Sequence, residues 1–141
     1  MRIAAVTRAP GAKSLAVVPT THILIVDPDR QVGVTLSFML SARSYDEVRA
    51  VRSARRALAI TEQFRPEIIF LDLEMPEGGG ITVAQQLTRS ASNRRPRLIA
   101  LTMSAEHPLR QEARAAGFER VVMKPVSHEE LDKILGISRA A

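Results

Sequence analysis

The chain has 141 residues, which is enough for one ordinary domain and too few for two. Apolar residues make up 45% and charged residues 25%, as in soluble globular proteins. The absence of cysteine excludes disulfides, zinc–thiolate sites and thiol catalysis. The sequence has no apolar run near the ~20 residues of a membrane-spanning helix and no apolar secretory core. These features predict a soluble cytoplasmic protein.

The net charge of +5 raises the question of nucleic-acid binding. Residues 1–20 carry three basic side chains and no acid, whereas residues 21–141 carry 17 basic and 15 acidic side chains. Arginines also cluster at 49–56 and 94–97, but the chain has one Tyr, four Phe and no Trp to provide a stacking surface. The sequence therefore disfavours nucleic-acid binding, which a steep dependence of affinity on salt would reveal.

Residues 1–20 have no clean hydrophobic period and are predicted to be a flexible extension. The pattern changes at His22, where the continuously apolar run 22–26 predicts a strand buried on both faces. Asp27 and Asp29 follow this strand, and either can cap the next helix. That helix is indicated by apolar residues at helical spacing between Val32 and Leu40.

The strand–helix cycle then repeats to the end of the chain. Strands are predicted at 47–51, 67–71, 97–101 and 121–123, and helices at about 53–64, 81–90, 105–116 and 127–137. Gly117 and the capping-box spacing that begins at Ser127 mark helix ends. Five alternating pairs predict a parallel sheet covered by helices on both faces. Residues 21–138 form the predicted domain, and 139–141 its C-terminal end.

Polar residues follow the predicted strands, at the sheet edge where ligands bind in such folds. They are Asp27, Asp72, Thr102 and Lys124, with Asp29 nearby. Carboxylates brought together favour a small hard cation such as Mg²⁺ or Mn²⁺, because histidine and cysteine ligands are lacking. A lysine and a hydroxyl could hold phosphoryl oxygens, and an aspartate can accept a phosphoryl group.

These stretches resemble the receiver domain of two-component response regulators. The resemblance covers about residues 22–138 and is carried by four stretches, 23–27 (ILIVD), 70–76 (FLDLEMP), 99–102 (IALT) and 124–125 (KP). It implies an α/β, doubly wound flavodoxin-like (βα)5 fold with strand order 2-1-3-4-5. It also implies a stand-alone response regulator in a phosphorelay, located in the cytoplasm.

The resemblance assigns a role to each site residue. Asp72 is the expected phosphoacceptor, with Thr102 and Lys124 completing the catalytic set. Asp27, Asp72 and the backbone carbonyl of Glu74 are the expected Mg²⁺ (or Mn²⁺) ligands, with Asp29 as a further candidate. The Lys124–Pro125 bond is cis in this family. The expected partners are a sensor histidine kinase or histidine phosphotransferase and a downstream protein, and a homodimer stays open.

The sequence departs from the family pattern at four places. Pro28 replaces the second acid after the first strand, which weakens the predicted metal site. Met103 follows the switch threonine, where it could cover Asp72, and Val121 replaces the switch aromatic. Gly79 and Gly80 replace the frequent Asp-Gly, with an expected effect on loop flexibility only.

Several alternatives stay open at this point. A pseudo-receiver, which binds proteins without phosphorylation, is favoured by the departures at Pro28, Met103 and Val121. A hydrolase of the haloacid-dehalogenase type is disfavoured because Glu74 stands where that family has a second aspartate. Catalysis would otherwise be limited to self-phosphorylation and autodephosphorylation. The three histidines lack metal-ligand spacing and are interpreted as surface residues.

Overall fold

The computed structural model describes residues 3–5, 17–91, 94–104 and 106–138. Five parallel strands form its main sheet, in the order β4-β3-β5-β6-β7. These strands are β3 (Ile23–Val26), β4 (Val48–Val51), β5 (Ile68–Asp72), β6 (Arg97–Thr102) and β7 (Phe118–Met123). Numbered within the sheet alone, the order is 2-1-3-4-5, so the predicted doubly wound receiver fold is confirmed.

Five helices cover the two faces of this sheet. They are α1 (Arg30–Ser41), α2 (Ala54–Phe64), α3 (Gly80–Ser90), α4 (Arg110–Ala115) and α5 (His128–Leu135). One apolar cluster joins the sheet to α2, α3 and α4, and a second joins it to α1 and α5. All four residues of β3 and all five of β5 are buried, as expected for central strands with helices on both faces.

Side-chain caps fix where three of the helices begin. Asp29, Ser53 and Ser127 each accept a hydrogen bond from a backbone N–H in the first turn of α1, α2 and α5, respectively. The backbone N–H of the α1 cap residue Asp29 also donates to Asp27 Oδ1 at 2.8 Å, so this cap lies directly beside Asp27.

Three elements differ from the sequence predictions. Helix α4 begins at Arg110 rather than near residue 105, because Pro108 disfavours helical backbone at His107. Ala105 itself lies outside the described residues. Strand β7 begins at Phe118, three residues before the predicted start. The prediction missed these residues because Glu119 and Arg120 interrupt the apolar pattern of the strand. Helix α5 stops at Leu135 because Gly136 adopts a left-handed conformation.

The N-terminal extension contains an element that the sequence did not predict. Two short strands, β1 (Ile3–Ala5) and β2 (Val17–Pro19), pair antiparallel with Ile3 opposite Pro19. The flexibility predicted for residues 1–20 stays a prediction, and residues 139–141 lie outside the described residues. Within the ranges described, the chain has no helix with the length and apolar character needed to span a bilayer.

Candidate functional site

Two buried carboxylates share one ammonium group at the carboxyl edge of the sheet. Lys124 Nζ lies 2.9 Å from Asp27 Oδ2 and 3.4 Å from Asp72 Oδ1. The side chains of both aspartates and of Lys124 are at least nine-tenths buried. Residues that are nearly a hundred positions apart in sequence thus meet, because β3, β5 and β7 all end at this edge.

Burial and charge act in opposite directions on these groups. Burial raises the pKa of the Asp27 carboxyl, against the lowering effect of hydrogen bonds from Lys124 and the Asp29 N–H. Burial alone would lower the pKa of Lys124, but the hydrogen bond and charge of Asp27, together with Asp72, leave it raised. Lys124 therefore stays a cation at neutral pH.

Within the described part of the chain, the two carboxylate oxygens of Asp72 differ in their hydrogen bonding. Its Oδ1 atom accepts a hydrogen bond from the backbone N–H of Glu74 at 3.1 Å and faces Lys124. Among the described residues, none donates a hydrogen bond to Oδ2. The carboxylate is thus held in place by one oxygen, which leaves the other available for chemistry.

Thr102 ends β6, the strand next to β5, and its side chain is fully buried. Its hydroxyl oxygen accepts a hydrogen bond from the backbone N–H of Ser104 at 3.2 Å, so the hydroxyl proton is free to be donated to another oxygen. Its carbonyl accepts the backbone N–H of Lys124 at 2.8 Å, which ties the threonine and the lysine together. The Lys124–Pro125 peptide bond is cis, as the resemblance implied.

Gly80 packs directly beneath Asp72, and the sequence analysis missed this role. A Cβ atom on Gly80 would collide with the Asp72 carbonyl oxygen and lie 2.7 Å from the Leu73 Cα. Gly80 N–H also donates to the Leu73 carbonyl at 2.8 Å. Gly78 and Gly79 have positive φ angles of 96° and 90°, which explains why this loop is rich in glycine. The predicted effect of the Gly79-Gly80 departure on loop flexibility stays a prediction.

The donor set suits Mg²⁺ but is sparse. Mg²⁺ is commonly bound by one or two carboxylates together with phosphate oxygens and water, and Asp27 and Asp72 supply two carboxylates. Pro28 contributes none, and Asp29 Oδ1 accepts a hydrogen bond from Gln31 N–H at 2.9 Å as the α1 cap. The described part of the chain holds no group of three acidic or histidine side chains placed to bind a metal.

An unpredicted pair spans the loops on either side of the site. His107 Nε2 lies 3.7 Å from Glu74 Oε1, and His107 Nδ1 accepts the backbone N–H of Leu109. Because the His107 side chain is only 12% exposed, its interpretation as a surface residue was wrong. Little in the sequence predicts this pair, because His107 and Glu74 are far apart along the chain.

An apolar cavity of about 230 Å³ opens beside the lysine end of the site. Its lining residues come from α1 and from the loops that follow β6 and β7, and include Val32, Leu36, Met39, Met103, Lys124, Pro125 and Val126. Met103 itself is 67% exposed. Its predicted effect on access to Asp72 stays a prediction.

Val121 lies opposite Ala100 in the β6–β7 ladder and is half-buried. It packs against the apolar cluster formed with α2, α3 and α4. Its branched side chain is therefore part of the core, and its effect on switching stays a prediction.

The protein-family model of the response regulator receiver domain matches residues 23–136 of this chain. The chain is 28% identical over 122 residues to the transcriptional regulatory protein PdtaR of Mycobacterium tuberculosis, covering 86% of this chain and 58% of that protein. It is 28% identical over 109 residues to the polar-differentiation response regulator DivK of Brucella abortus, covering 77% of this chain and 87% of DivK.

The fold comparison agrees with this assignment. The chemotaxis protein CheY4 of Vibrio cholerae superimposes with a TM-score of 0.75 at 25% identity, covering 84% of this chain and 98% of that structure. Receiver domains of this fold generally bind Mg²⁺ at their phosphorylation site. The family match, the strand order and the carboxylate–lysine cluster agree, and the chain belongs to the response regulator receiver domain family.

Proposed function

We propose that this receiver domain accepts a phosphoryl group from a partner's phosphohistidine on Asp72 and changes its protein binding in response. The observation that carries the proposal is the buried pair of Asp27 and Asp72 on a single ammonium, that of Lys124. Such a pair keeps one carboxylate ionised and places a cation where an incoming phosphoryl group would carry negative charge.

The transfer forms one bond and breaks one. A carboxylate oxygen of Asp72, for which Oδ2 is the better candidate, attacks phosphorus and forms an acyl phosphate. The bond from phosphorus to the imidazole nitrogen breaks, and the imidazole leaves with its electron pair. Lys124 would contact a phosphoryl oxygen, and the Thr102 hydroxyl would donate its proton to another. Attack by water on the acyl phosphate would later release inorganic phosphate and restore Asp72.

Asp27, Asp72 and the Glu74 carbonyl are the residues proposed to hold Mg²⁺. When bound, the cation neutralises charge on the phosphoryl oxygens. Asp29 is better explained as the cap of α1, because its Oδ1 atom accepts the Gln31 N–H. We therefore expect weak binding of Mg²⁺ without a phosphoryl group and tighter binding with one.

The apolar cavity between α1 and the Lys124–Val126 loop is the proposed entry point for the donor. It adjoins Lys124, so an apolar helix surface around a phosphohistidine could pack there while its phosphoryl group reaches Asp72. The expected partner, a histidine kinase or histidine phosphotransferase, would then dock on the α1–α5 side of the sheet.

The proposal is tested with a small acyl-phosphate donor. Acetyl phosphate with Mg²⁺ should add the mass of one phosphoryl group to the wild-type chain, and chelating the cation should prevent the addition. Asp72→Asn should abolish it, whereas Asp46→Asn, an exposed change, should leave it intact. Phosphorylation that persists in Asp72→Asn would refute the assignment.

One observation favours the pseudo-receiver as a second candidate. Pro28 removes a carboxylate and Asp29 is engaged as a helix cap, so the described residues lack a third metal-binding side chain. If no phosphorylated species forms at saturating Mg²⁺ and acetyl phosphate, the pseudo-receiver replaces the phosphoacceptor as the best account.

A further inference from the structure

An apolar surface on α1 lies outside the proposed phosphorylation site. Val34 is 52% exposed and Phe38 is 77% exposed, and the two are four residues apart on one face of the helix. A largely solvated phenylalanine contributes little to the fold, whereas aromatic side chains are enriched at protein–protein interfaces.

Strand β4 runs alongside this surface and is an edge of the sheet. Among the described strands it pairs with β3 alone, through hydrogen bonds that include Ile23 N–H to Glu47 O and Asp27 N–H to Val51 O. Because alternate residues of a strand face the same neighbour, Val48 and Ala50 direct their backbone N–H and C=O groups away from β3. Such an open edge can pair with an additional strand.

Helix and edge strand together form one groove, here named the α1–β4 face. Gly33 allows α1 to approach β4, since a Cβ there would lie 3.0 Å from the Ala50 Cβ. The groove between them has a volume of about 630 Å³, and Val34, Phe38, Ala50 and Arg52 are among the residues that line it.

The charges around this face determine which partner suits it. Arg30 and Arg52 line the groove, and Arg49 projects on the other side of β4, where its guanidinium lies 5.2 Å from the centre of the Phe64 ring. All three arginines are exposed. Asp29 is the exposed acid of the lining, so the face is predominantly positive.

We propose that the α1–β4 face binds an extended segment of a partner protein in which apolar and acidic side chains alternate, and that this segment pairs with β4 as an added strand. Its apolar side chains lie beneath Val34 and Phe38, and its acidic side chains meet Arg49. A second copy of this chain would oppose like charges, and residues 1–20 carry three basic side chains and no acid. This interaction does not depend on phosphorylation of Asp72.

The probe is a blocked peptide of about ten residues that alternates glutamate with valine. We expect saturable binding to the isotopically labelled full chain, with amide shifts at Val48–Val51 and slower hydrogen exchange at Ala50. Phe38→Ser and Arg49→Glu should each weaken binding at least ~10-fold. The exposed Arg89→Glu on α3 is the matched control and should leave binding unchanged.

Each of the following results would overturn this inference. They are the absence of saturable binding at about 1 mM peptide, equal binding of a peptide with lysine in place of glutamate, shifts confined to another surface, and dimerisation through β4 without peptide. Tighter binding of a single-stranded oligonucleotide to the same face would also overturn it and assign the arginines to nucleic acid. The amide spectrum of each variant shows independently that it is folded.

Discussion

Lys124 neutralises a charge at the site that would otherwise be buried without a partner. Asp27 and Asp72 both lie within 3.4 Å of its Nζ atom. Removing one partner of a buried ion pair leaves an uncompensated charge, which is costlier than replacing the whole pair. The cluster is therefore important for stability as well as for the proposed chemistry.

Lys124→Met should lower the free energy of unfolding by about 3 kcal/mol, because it leaves both carboxylates without a cation. Adding Asp27→Asn to this variant should recover part of the loss, since one of the carboxylates is then removed. Urea unfolding measures both effects. Lys133→Met, which breaks an exposed pair with Glu129, is the control and should cost less than ~0.5 kcal/mol. A Lys124→Met variant as stable as wild type would contradict the burial argument.

Pro28 supplies no carboxylate next to Asp27, and this single residue explains why the candidate metal site has few ligands. Pro28→Asp adds a carboxylate next to Asp27 and should tighten Mg²⁺ binding at least ~10-fold, measured by calorimetric titration. Ser41→Asp adds the same charge near the far end of α1 and should leave the affinity unchanged. If both variants bind Mg²⁺ with wild-type affinity, the lack of a carboxylate at position 28 does not limit Mg²⁺ affinity.

Contacts between elements hold the two helices α1 and α5 on their shared face of the sheet. Arg43, just after α1, places its Nε atom 2.7 Å from Asp132 Oδ1 on α5, and both side chains are at least nine-tenths buried. Its guanidinium also donates to the Met39 carbonyl and contacts His128 Nδ1. This ion pair connects the two helices that flank the proposed donor cavity.

Arg43→Met should destabilise the fold by about 3 kcal/mol, because Asp132 would keep a buried charge without the guanidinium. Thermal and urea unfolding both report the change. Arg120→Met serves for comparison, since its pair with Glu130 is more exposed and should contribute at most ~1 kcal/mol. Equal losses of unfolding free energy in the two variants would mean that burial does not strengthen the Arg43–Asp132 pair.

A bidentate ion pair between Arg97 and Glu119 connects the start of β6 to the start of β7. Arg97 donates to both carboxylate oxygens of Glu119 at 2.7–2.8 Å and also to the Ile134 carbonyl of α5. The hydrogen bond from Arg97 lowers the pKa of Glu119 below its ordinary value of 4.5. Because the folded pKa is the lower one, the stabilisation is present above the unfolded pKa and disappears as pH falls through the folded pKa.

Glu119→Gln should therefore cost about 0.5 kcal/mol at neutral pH, a small effect because the pair is partly exposed. The difference from wild type should be smaller at an acidic pH, below the folded pKa of Glu119, than at neutral pH. Urea unfolding at the two pH values makes the comparison. A difference that grows on acidification would contradict the sign of the pKa shift.

For the molecule as a whole, local sequence patterns predict the sheet and the strand-end cluster well. Buried parallel strands are continuously apolar, so the residue after each run, such as Asp27 or Asp72, is placed without knowledge of tertiary contacts. Sequence patterns did not predict the contacts in which a distant partner decides the outcome. His107 meets Glu74 and Arg43 meets Asp132 only after folding, and Gly80 is required because β5 ends directly above it.

The most direct test of Asp72 as the phosphoacceptor locates the phosphoryl group on the intact chain. After treatment with acetyl phosphate and Mg²⁺, borohydride reduces an aspartyl phosphate to homoserine, which peptide mass spectrometry assigns to one position. Phosphoryl transfer to Asp72 predicts homoserine at that position, dependent on Mg²⁺ and absent from Asp72→Asn. Homoserine at Asp27 or another acid, or at no position in the presence of both reagents, would contradict it.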